Sequence, residues 1–333
     1  MKEKITNYIL SNEILRKVSA SVLHSSIIVK NPVYKYLYSK KINDVIAKYK
    51  KFPLEVAIET TNVCNLQCIN CPNSSMKRKK GFMDMKLYNK CIDECYEIGI
   101  NCITLTGVGE PLLNTQIDKQ ISYAKNKGIH KVSLSSNAIC LTNDISERLI
   151  NSGLDELCIS IDAAKESTYF ILRPPAKLEV VENNLKEFIK FRNKLHLSTP
   201  EITVRFERNA KNFDEIGLFK AKWKNYVDHI YIGFTHNWAG SVSRGSNEWH
   251  NSSIREPCSM VFTYMSIFWD GRVPLCCLDS ECETSLGSIV NNSIGEIWHS
   301  ESFEKIREQH LNNYHDSIIP CNKCSLRSTF WIY

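Results

Sequence analysis

Apolar and polar positions follow two different periods along this chain, and the two kinds of segment alternate. From Pro53 onward, short apolar runs typical of strands are each followed by a longer stretch with the period of an amphipathic helix. We expect strands at 54–59, 102–105, 131–135, 156–161, 201–206 and 229–234, and helices at 85–98, 117–127, 144–152, 179–195 and 214–225. Alternating strands and helices predict a parallel sheet. Six such units predict an α/β fold, namely a partial (β/α)6 TIM-like barrel.

The two ends of the chain depart from this alternation. Residues 1–50 place apolar side chains at roughly helical intervals, interrupted near Pro32, and they predict a helical N-terminal arm. Near the other end, Asp270-Gly271 predicts the turn of a hairpin within 269–277, and a helix is expected later. We therefore expect three parts: a basic helical arm at 1–50, a barrel at 51–240, and a small cysteine-rich α+β subdomain at 241–333.

Composition favours a globular cytoplasmic protein. The 333 residues are 43% hydrophobic and 23% charged, and no apolar run approaches the 18 residues of a membrane span. The N-terminus lacks the apolar core and small-residue cleavage site of a secretory signal. In the reducing cytoplasm, 14 cysteines indicate metal binding more than disulfides.

The net charge of +6 is unevenly distributed. Residues 1–51 alone carry +8, so the remaining residues carry −2. A basic arm can meet an anionic substrate, a partner or a membrane surface, whereas a solvated arm packed on the barrel is the simpler reading. We favour the packed arm over membrane contact, and we expect no nucleic-acid partner.

Three cysteines follow the first predicted strand directly. Cys64, Cys68 and Cys71 have a C-x3-C-x2-C spacing, which allows one short loop to turn three thiolates toward a common point. A structural zinc site would need a fourth Cys or His nearby, and its usual signature is a pair of C-x2-C hooks. Three thiolates suit a [4Fe–4S] cluster with one open iron. Zinc or incidental cysteines are the alternatives.

This loop resembles the signature of the radical S-adenosylmethionine (radical SAM) enzymes. The resemblance implies that the open iron binds S-adenosylmethionine, which an electron from the cluster cleaves to methionine and a 5′-deoxyadenosyl radical. Many members have a bulky residue just before the third cysteine, where this chain has Asn70. The family uses mainly the backbone there, to contact adenine.

The same resemblance implies a set of residues that bind S-adenosylmethionine, and all of them except Arg173 lie at the end of a predicted strand. Gly107-Val108-Gly109-Glu110-Pro111 resembles the family's Gly-Gly-Glu-Pro element with Val108 inserted, and an ordinary turn is its alternative. The resemblance implies that Arg173 makes a bidentate contact with the carboxylate of the ligand. The alternative is that Arg173 is a residue of a surface turn. Asp162 is expected to brace this loop. The implied cofactor-binding residues are Gly107, Gly109, Glu110, Pro111, Ser136, Asn137, Ser160 and Arg173.

Four further cysteines lie in the C-terminal part. Cys258, Cys276, Cys321 and Cys324 are separated by 17, 44 and 2 residues. This arrangement resembles the extension of SPASM-type radical SAM enzymes in its shortened form, the twitch subdomain of 2-deoxy-scyllo-inosamine dehydrogenase. Four thiolates would ligate one auxiliary [4Fe–4S] cluster completely, and a four-cysteine zinc site is the alternative. Cys277 and Cys282 are spare thiols beside it.

The remaining cysteines and the mouth of the barrel complete the predictions. We expect small core roles for Cys91, Cys95, Cys102, Cys140 and Cys158. Residues 236–240 follow the sixth strand and are expected to line a substrate pocket.

The sequence thus predicts a radical SAM oxidoreductase. Its expected substrate is a small polar molecule such as a sugar or cyclitol alcohol, with the auxiliary cluster as electron acceptor and a flavodoxin or ferredoxin as reductant. The alternative is a peptide-modifying maturase or epimerase. A non-catalytic iron–sulfur or zinc-binding module is disfavoured by the Gly107–Pro111 element and Arg173. The catalytic base, the substrate and the oligomeric state are not identified by the sequence.

Overall fold

The structure is a computed structural model that describes residues 32–49, 51–242 and 257–326. Its strands are β1 Glu55–Ile58, β2 Cys102–Leu105, β3 Lys131–Ser136, β4 Glu156–Ser160, β5 Glu201–Arg208, β6 His229–Phe234, β7 Tyr264–Ile267, β8 Arg272–Pro274 and β9 Ser285–Ser288. Its α-helices are α1 Pro32–Tyr49, α2 Met85–Glu97, α3 Ile117–Lys127, α4 Asn143–Asn151, α5 Glu166–Leu172, α6 Leu178–Lys194, α7 Ile216–Trp223, α8 Met260–Thr263, α9 Ile294–Trp298 and α10 Glu301–Leu311.

The predicted α/β class is confirmed by the central sheet. Strands β1 to β7 form one sheet in the order β6-β5-β4-β3-β2-β1-β7, and all of its pairs are parallel. Among the described residues its edge strands β6 and β7 do not pair with each other, so the sheet is open. All carboxyl ends lie along one edge of the sheet, where parallel α/β folds place their chemistry.

The strands divide their side chains between two faces. Leu157, Ile159, Ile202 and Val204 are fully buried in the core that the sheet shares with the surrounding helices. The opposite face, here called the inner face, carries the alternate residues, because successive side chains of a strand point to opposite sides. Many of these are polar. Glu156, for example, accepts hydrogen bonds from Ser133 Oγ at 3.1 Å and Thr203 Oγ1 at 3.2 Å.

The seventh strand was not predicted. Residues 264–267 were assigned to the C-terminal subdomain, but they form β7 and pair in parallel with β1. The C-terminal part therefore completes the central sheet. Four residues without strong alternation carry too little local signal to reveal such a pairing.

The predicted hairpin needs a correction. Asp270-Gly271 does form a tight turn, with Gly271 at φ +86° and its N–H donated to the Phe268 carbonyl at 2.9 Å. However, β8 forms its antiparallel ladder with β9, and β7 forms its ladder with β1. An isolated two-stranded hairpin is marginally stable, whereas β7 joins the edge of a larger sheet.

Part of the N-terminal arm packs on the C-terminal part. In α1, Tyr38, Ile42 and Val45 are buried, and Tyr38 donates its hydroxyl proton to the Pro257 carbonyl at 2.5 Å. The rest of the predicted arm, residues 1–31, lies outside the described residues. None of the described helices combines the length and apolar character needed to cross a membrane.

Candidate active site at the carboxyl ends of the strands

The loop after β1 presents the three predicted cysteines. Two backbone hydrogen bonds hold the loop against the segment that follows α5: Gln67 N to Pro174 O at 2.7 Å and Ile69 N to Leu172 O at 3.0 Å. The Cys71 N–H donates to the Cys68 carbonyl at 3.1 Å. The loop is therefore fixed by hydrogen bonds at both its middle and its end, next to Arg173.

The three thiols share one electrostatic environment. Burial raises the pKa of Cys64 to about 11 and that of Cys71 to about 12, and each is raised further by the neighbouring loop thiols. Arg173 opposes this rise at all three sulfurs. Over the described ranges, no three His, Cys, Asp or Glu side chains are closed into a metal-coordination geometry. The donor set still fits a metal cluster, because a bound cation would supply the charge that ionises buried thiols.

The predicted glycine element packs directly on this loop. A Cβ built on Gly109 would lie 2.2 Å from the Thr61 carbonyl oxygen and 2.7 Å from Asn62 Cα. Glycine is therefore required here for the close approach of the two backbones. Pro111, which begins a 3-10 helix, is buried.

Glu110 joins the ends of β2 and β3. Its carboxylate accepts hydrogen bonds from Ser136 Oγ at 2.7 Å, Asn137 N at 2.7 Å and Leu112 N at 3.0 Å. Burial raises its pKa despite these bonds. Asn137 in turn donates from Nδ2 to Asn65 Oδ1 in the cysteine loop at 2.8 Å. The structure thus brings the predicted residues of three strand ends into one hydrogen-bonded group.

Arg173 lies inside the site and not on a surface turn. Its side chain is 12% exposed, its Nε donates to Asp162 Oδ2 at 3.0 Å, and its Nη1 lies 3.9 Å from Cys68 Sγ. Asp162 also accepts from Glu207 N at 2.7 Å, which is the bracing role expected of it. Ser160 ends β4 beside this pair, opposite Arg205 in the register.

Residues 236–240 connect the two cysteine-rich parts of the chain. Trp238 donates from Nε1 to the Asn70 carbonyl at 2.7 Å, so this carbonyl next to Cys71 is engaged by the indole. Asn237 donates from Nδ2 to the Lys323 carbonyl at 2.7 Å. Burial lowers the pKa of His236 to about 4, aided by Arg205. The imidazole is therefore neutral at pH 7, and its Nδ1 accepts from Trp238 N at 3.2 Å.

The C-terminal cysteines form a second group. Burial raises the pKa of Cys276, and so do the neighbouring thiols of Cys258, Cys321 and Cys324. Burial also raises the pKa of Cys258 to about 11. Cys277 belongs to the same group, since Cys258 and Cys324 raise its pKa beyond the effect of burial, to about 12. Cys282 does not, because its charged neighbours are Asp279, Arg272 and Arg78.

Two of the five cysteines expected in the core are placed elsewhere. Cys91 and Cys95 are fully buried in α2, as predicted. Cys102 and Cys158 are half-buried on the inner face, whereas Cys140 is partly buried against the core and accepts from Asn65 Nδ2 at 3.5 Å. Local sequence cannot separate these two kinds of cysteine, because alternation along a strand does not tell which face meets the helices.

Several residues of the site were not predicted. His310 of α10 lies between Cys258 N, at 3.4 Å, and Cys321 Sγ, at 3.6 Å. Lys80 donates to Asn73 Oδ1 at 2.6 Å, and Asn73 Nδ2 donates to the Val108 carbonyl at 2.6 Å. Lys80 falls in a basic run, 77–80, that could have indicated a role near the cysteines. His310 has no such signal.

Two family models match the chain, one over the part that contains the first cysteine group and one over the part that contains the second. The model described as the radical SAM superfamily matches residues 58–219. Residues 58–219 belong to the radical SAM superfamily. A second model, described as an iron–sulfur cluster-binding domain, matches residues 258–325. The cofactors are therefore S-adenosylmethionine and a [4Fe–4S] cluster at the radical SAM domain, and a second, auxiliary [4Fe–4S] cluster at the C-terminal domain.

The curated relatives share mainly the radical SAM domain. A probable GTP 3′,8-cyclase of Methanococcus maripaludis is 30% identical over 134 residues, which are 40% of this chain and 44% of that protein. A tungsten-containing aldehyde ferredoxin oxidoreductase cofactor-modifying protein of Pyrococcus furiosus is 23% identical over 160 residues, 48% of this chain and 45% of that protein. The chain spans about half the length of the curated relatives it matches.

Solved structures share the fold over most of the chain. BtrN in complex with AdoMet and 2-DOIA is 19% identical, with a TM-score of 0.58 over 82% of this chain and 93% of that one. Streptococcus suis SuiB bound to the precursor peptide SuiA is 15% identical, with a TM-score of 0.66 over 89% and 75%. At these identities the likeness concerns the fold alone.

Proposed function

We propose that this radical SAM enzyme is an oxidoreductase that removes hydrogen from a hydroxyl-bearing carbon of a small polar substrate. The observation that carries this proposal is the position of the C-terminal cysteine group. Asn237 donates from Nδ2 to the Lys323 carbonyl, between Cys321 and Cys324, at 2.7 Å, and the adjacent Trp238 donates from Nε1 to the Asn70 carbonyl, next to Cys71, at 2.7 Å. Residues 237–238 therefore connect the second cysteine group to the first cysteine loop, and a substrate bound on the inner face near these residues would have both groups within its surroundings.

The residues of the first site would hold and orient the cofactor. Cys64, Cys68 and Cys71 would ligate the [4Fe–4S] cluster, which together with S-adenosylmethionine supplies a 5′-deoxyadenosyl radical. Gly107 and Gly109 would let the backbone lie close to the ligand. Pro111 would end the ligand-binding segment, because it begins the 3-10 helix that follows. Ser136, Asn137 and Ser160 would face its polar groups, positioned in part by the buried Glu110. Arg173 would meet a carboxylate, with its orientation fixed by Asp162.

The residues of the second site would hold an electron acceptor. Cys258, Cys276, Cys321 and Cys324 would complete the ligation of one auxiliary cluster, leaving no iron open to substrate. We infer the same division of the chain as the sequence predicts, with parts at 1–50, 51–240 and 241–333. The third part contributes β7 to the sheet of the second. A flavodoxin or ferredoxin remains the proposed reductant.

Peptide modification is the second candidate. It is favoured by the likeness to SuiB, whose structure was solved with a precursor peptide. It differs from alcohol oxidation in its products, so one assay separates them: anaerobic product analysis with a panel of polyols and peptides, following 5′-deoxyadenosine. A ketone or aldehyde formed together with 5′-deoxyadenosine supports the oxidoreductase. Peptide products without any polyol product would contradict it.

The role of the auxiliary site is tested by replacing both Cys321 and Cys324 with Ala. The iron content of reconstituted protein should fall from about eight to about four atoms per chain. The variant should still cleave S-adenosylmethionine, but it should release 5′-deoxyadenosine without oxidised substrate. Circular dichroism serves as the control, since metal sites contribute folding energy. Wild-type product formation by the folded variant, or zinc in place of iron at this site, would contradict the proposal.

A further inference from the structure

An arginine on the inner face keeps most of its hydrogen-bonding capacity unused. Arg205 lies on β5, between Ser160 of β4 and Tyr231 of β6 in the register. Its Nε donates to Glu207 Oε1 at 2.6 Å, and its guanidinium lies 5.0 Å from the centre of the Tyr231 ring. Nη1 and Nη2 have no partner among the described residues, and the side chain is 41% exposed. Over the described ranges, four N–H donors of Arg205 therefore have no acceptor on the protein.

The neighbouring carboxylate is also only partly engaged. Glu207 Oε1 accepts from Arg205, whereas Oε2 has no partner within the part of the chain that the structure describes. Gly233 of β6 makes room for this group, because a Cβ there would lie 2.4 Å from Oε2. Burial raises the pKa of Glu207, and Asp162 raises it further, while Arg205 and Arg173 lower it.

This pair is connected to the cofactor site through a short series of contacts. Glu207 N donates to Asp162 Oδ1 at 2.7 Å, and Asp162 Oδ2 accepts from Arg173 Nε at 3.0 Å. Arg173 Nη1 lies 3.9 Å from Cys68 Sγ. A molecule bound to Arg205 and Glu207 would therefore lie next to the proposed position of S-adenosylmethionine.

We propose that Arg205 and Glu207 bind the reacting hydroxyl of a polyol, and that Glu207 removes its proton. A hydroxyl group both donates and accepts, so it is matched by a carboxylate beside a guanidinium better than by either group alone. A substrate carrying a single carboxylate would be attracted by Arg205 but repelled by Glu207. This inference rests on the proposed function and names the base that the sequence could not.

The step balances for an alcohol. Glu207 would take the hydroxyl proton, the hydrogen atom of the carbinol carbon would pass to the 5′-deoxyadenosyl radical that bound S-adenosylmethionine supplies, and the remaining electron would pass to the auxiliary iron–sulfur cluster held by the C-terminal cysteines. The product is a carbonyl compound. Arg205 stabilises the negative charge that develops on the oxygen as the proton leaves.

The test uses cluster-loaded full-length protein with S-adenosylmethionine and three probes: 2-deoxy-scyllo-inosamine, myo-inositol and D-glucose. Glu207→Gln keeps an acceptor for Arg205 but cannot take a proton. For a probe that the wild type oxidises, we expect product formation to fall by about 100-fold or more, the usual contribution of a general base. When the probe is deuterated at the carbinol carbon, Glu207→Gln should still transfer deuterium to 5′-deoxyadenosine. The dissociation constant, measured by calorimetry, should change by less than about threefold.

Two further variants complete the design. Arg205→Met should weaken binding of the same probe by about tenfold or more, because it removes the charged donors. Glu201→Gln is the matched control, since Glu201 lies at the other, exposed end of β5, and it should behave as wild type. The wild-type rate should also fall with decreasing pH as Glu207 is protonated beside Arg205, Asp162, Arg173 and Tyr231. In Glu207→Gln this decrease should be absent.

The outcomes separate the two proposals. If the wild type oxidises a probe and Glu207→Gln does so at the same rate, Glu207 is not the base, while the oxidoreductase proposal stands. If the wild type oxidises none of the probes but binds one in a way that depends on Arg205, the hydroxyl site stands and alcohol oxidation fails. If it binds none of them, the polyol site is overturned.

Discussion

At the scale of single residues, the site depends on groups that hold other groups in place. Glu110 shows this most clearly, because its buried carboxylate accepts hydrogen bonds from Ser136 Oγ, Asn137 N and Leu112 N and so joins the ends of β2 and β3. Gly109 is needed because it has no side chain: a Cβ there would collide with the Thr61 carbonyl. Substitutions at such residues should alter the cysteine loop without touching a thiol.

Gly109→Ala tests this directly. The added methyl group must displace the backbone of the cysteine loop, a change of the overpacking kind that costs about 1–3 kcal/mol. We expect less iron at the first site after reconstitution and weaker binding of S-adenosylmethionine. Gly217→Ala, at a helical position with open space around it, is the control and should change neither quantity. Full iron loading of Gly109→Ala would refute the close-packing argument.

At the scale of elements, ion pairs fix helices against the end of the sheet opposite the site. Arg192 of α6 donates from Nη1 to Asp228 Oδ2 at 2.6 Å, and the same oxygen accepts from Ile202 N at the start of β5 at 2.7 Å. Burial opposes ionisation of Asp228, but these two hydrogen bonds and the nearby positive charges of Arg192 and His229 together outweigh it and lower the pKa of Asp228. The ionised carboxylate therefore stabilises the folded protein.

Because the pKa of Asp228 is lowered in the folded protein, the effect of Asp228→Asn on stability should depend on pH. Because the folded pKa lies below the unfolded value of about 3.9, the contribution is present above about pH 4 and is lost as the pH falls through the folded value. With the carboxylate 36% exposed, we expect the variant to be less stable by about 1 kcal/mol at pH 7. Urea unfolding should show the difference shrinking as the pH is lowered below about 4. Glu187→Gln, on the exposed face of α6, should show no difference at either pH.

At the scale of the whole molecule, a buried ion pair connects the barrel to the C-terminal part. Arg78 contacts both oxygens of Glu59, at 3.0 and 2.9 Å, and it donates from Nε to the Ser280 carbonyl. Its guanidinium lies 3.6 Å from the centre of the Phe268 ring. One side chain thus holds the end of β1, the segment after the cysteine loop and the C-terminal part together.

Arg78→Ala should be among the most damaging single substitutions in this chain. It leaves the carboxylate of Glu59 buried, at 1% exposure, without its partner, and such changes cost about 3–5 kcal/mol. We expect a clear fall in the midpoint of thermal unfolding. Lys79→Ala is the neighbouring control, because the contact of Lys79 with Trp269 is made by its backbone carbonyl. An unchanged midpoint for Arg78→Ala would show that the pair does not connect the two parts.

The amino-acid sequence by itself determined the strands β1 to β6 and the first set of candidate ligands. The strands β2 and β6 begin and end at the predicted residues, and the other predicted strands differ by at most two residues at either end. These features are local: periodicity, cysteine spacing and turn residues act within a few positions of one another. For the same reason, the candidate residues at consecutive strand ends could be expected to lie together, and the structure places them so.

The tertiary structure alone decided the partners across the molecule. It pairs β7 with β1, Arg78 with Glu59 and Trp238 with the Asn70 carbonyl, and each pair is separated by many residues in the sequence. It also decided that Arg205 and Glu207 share the inner face with Ser160 and Tyr231. Alternation shows that two residues of a strand lie on one face, but only the packing of helices on the other face shows which one is open to a ligand.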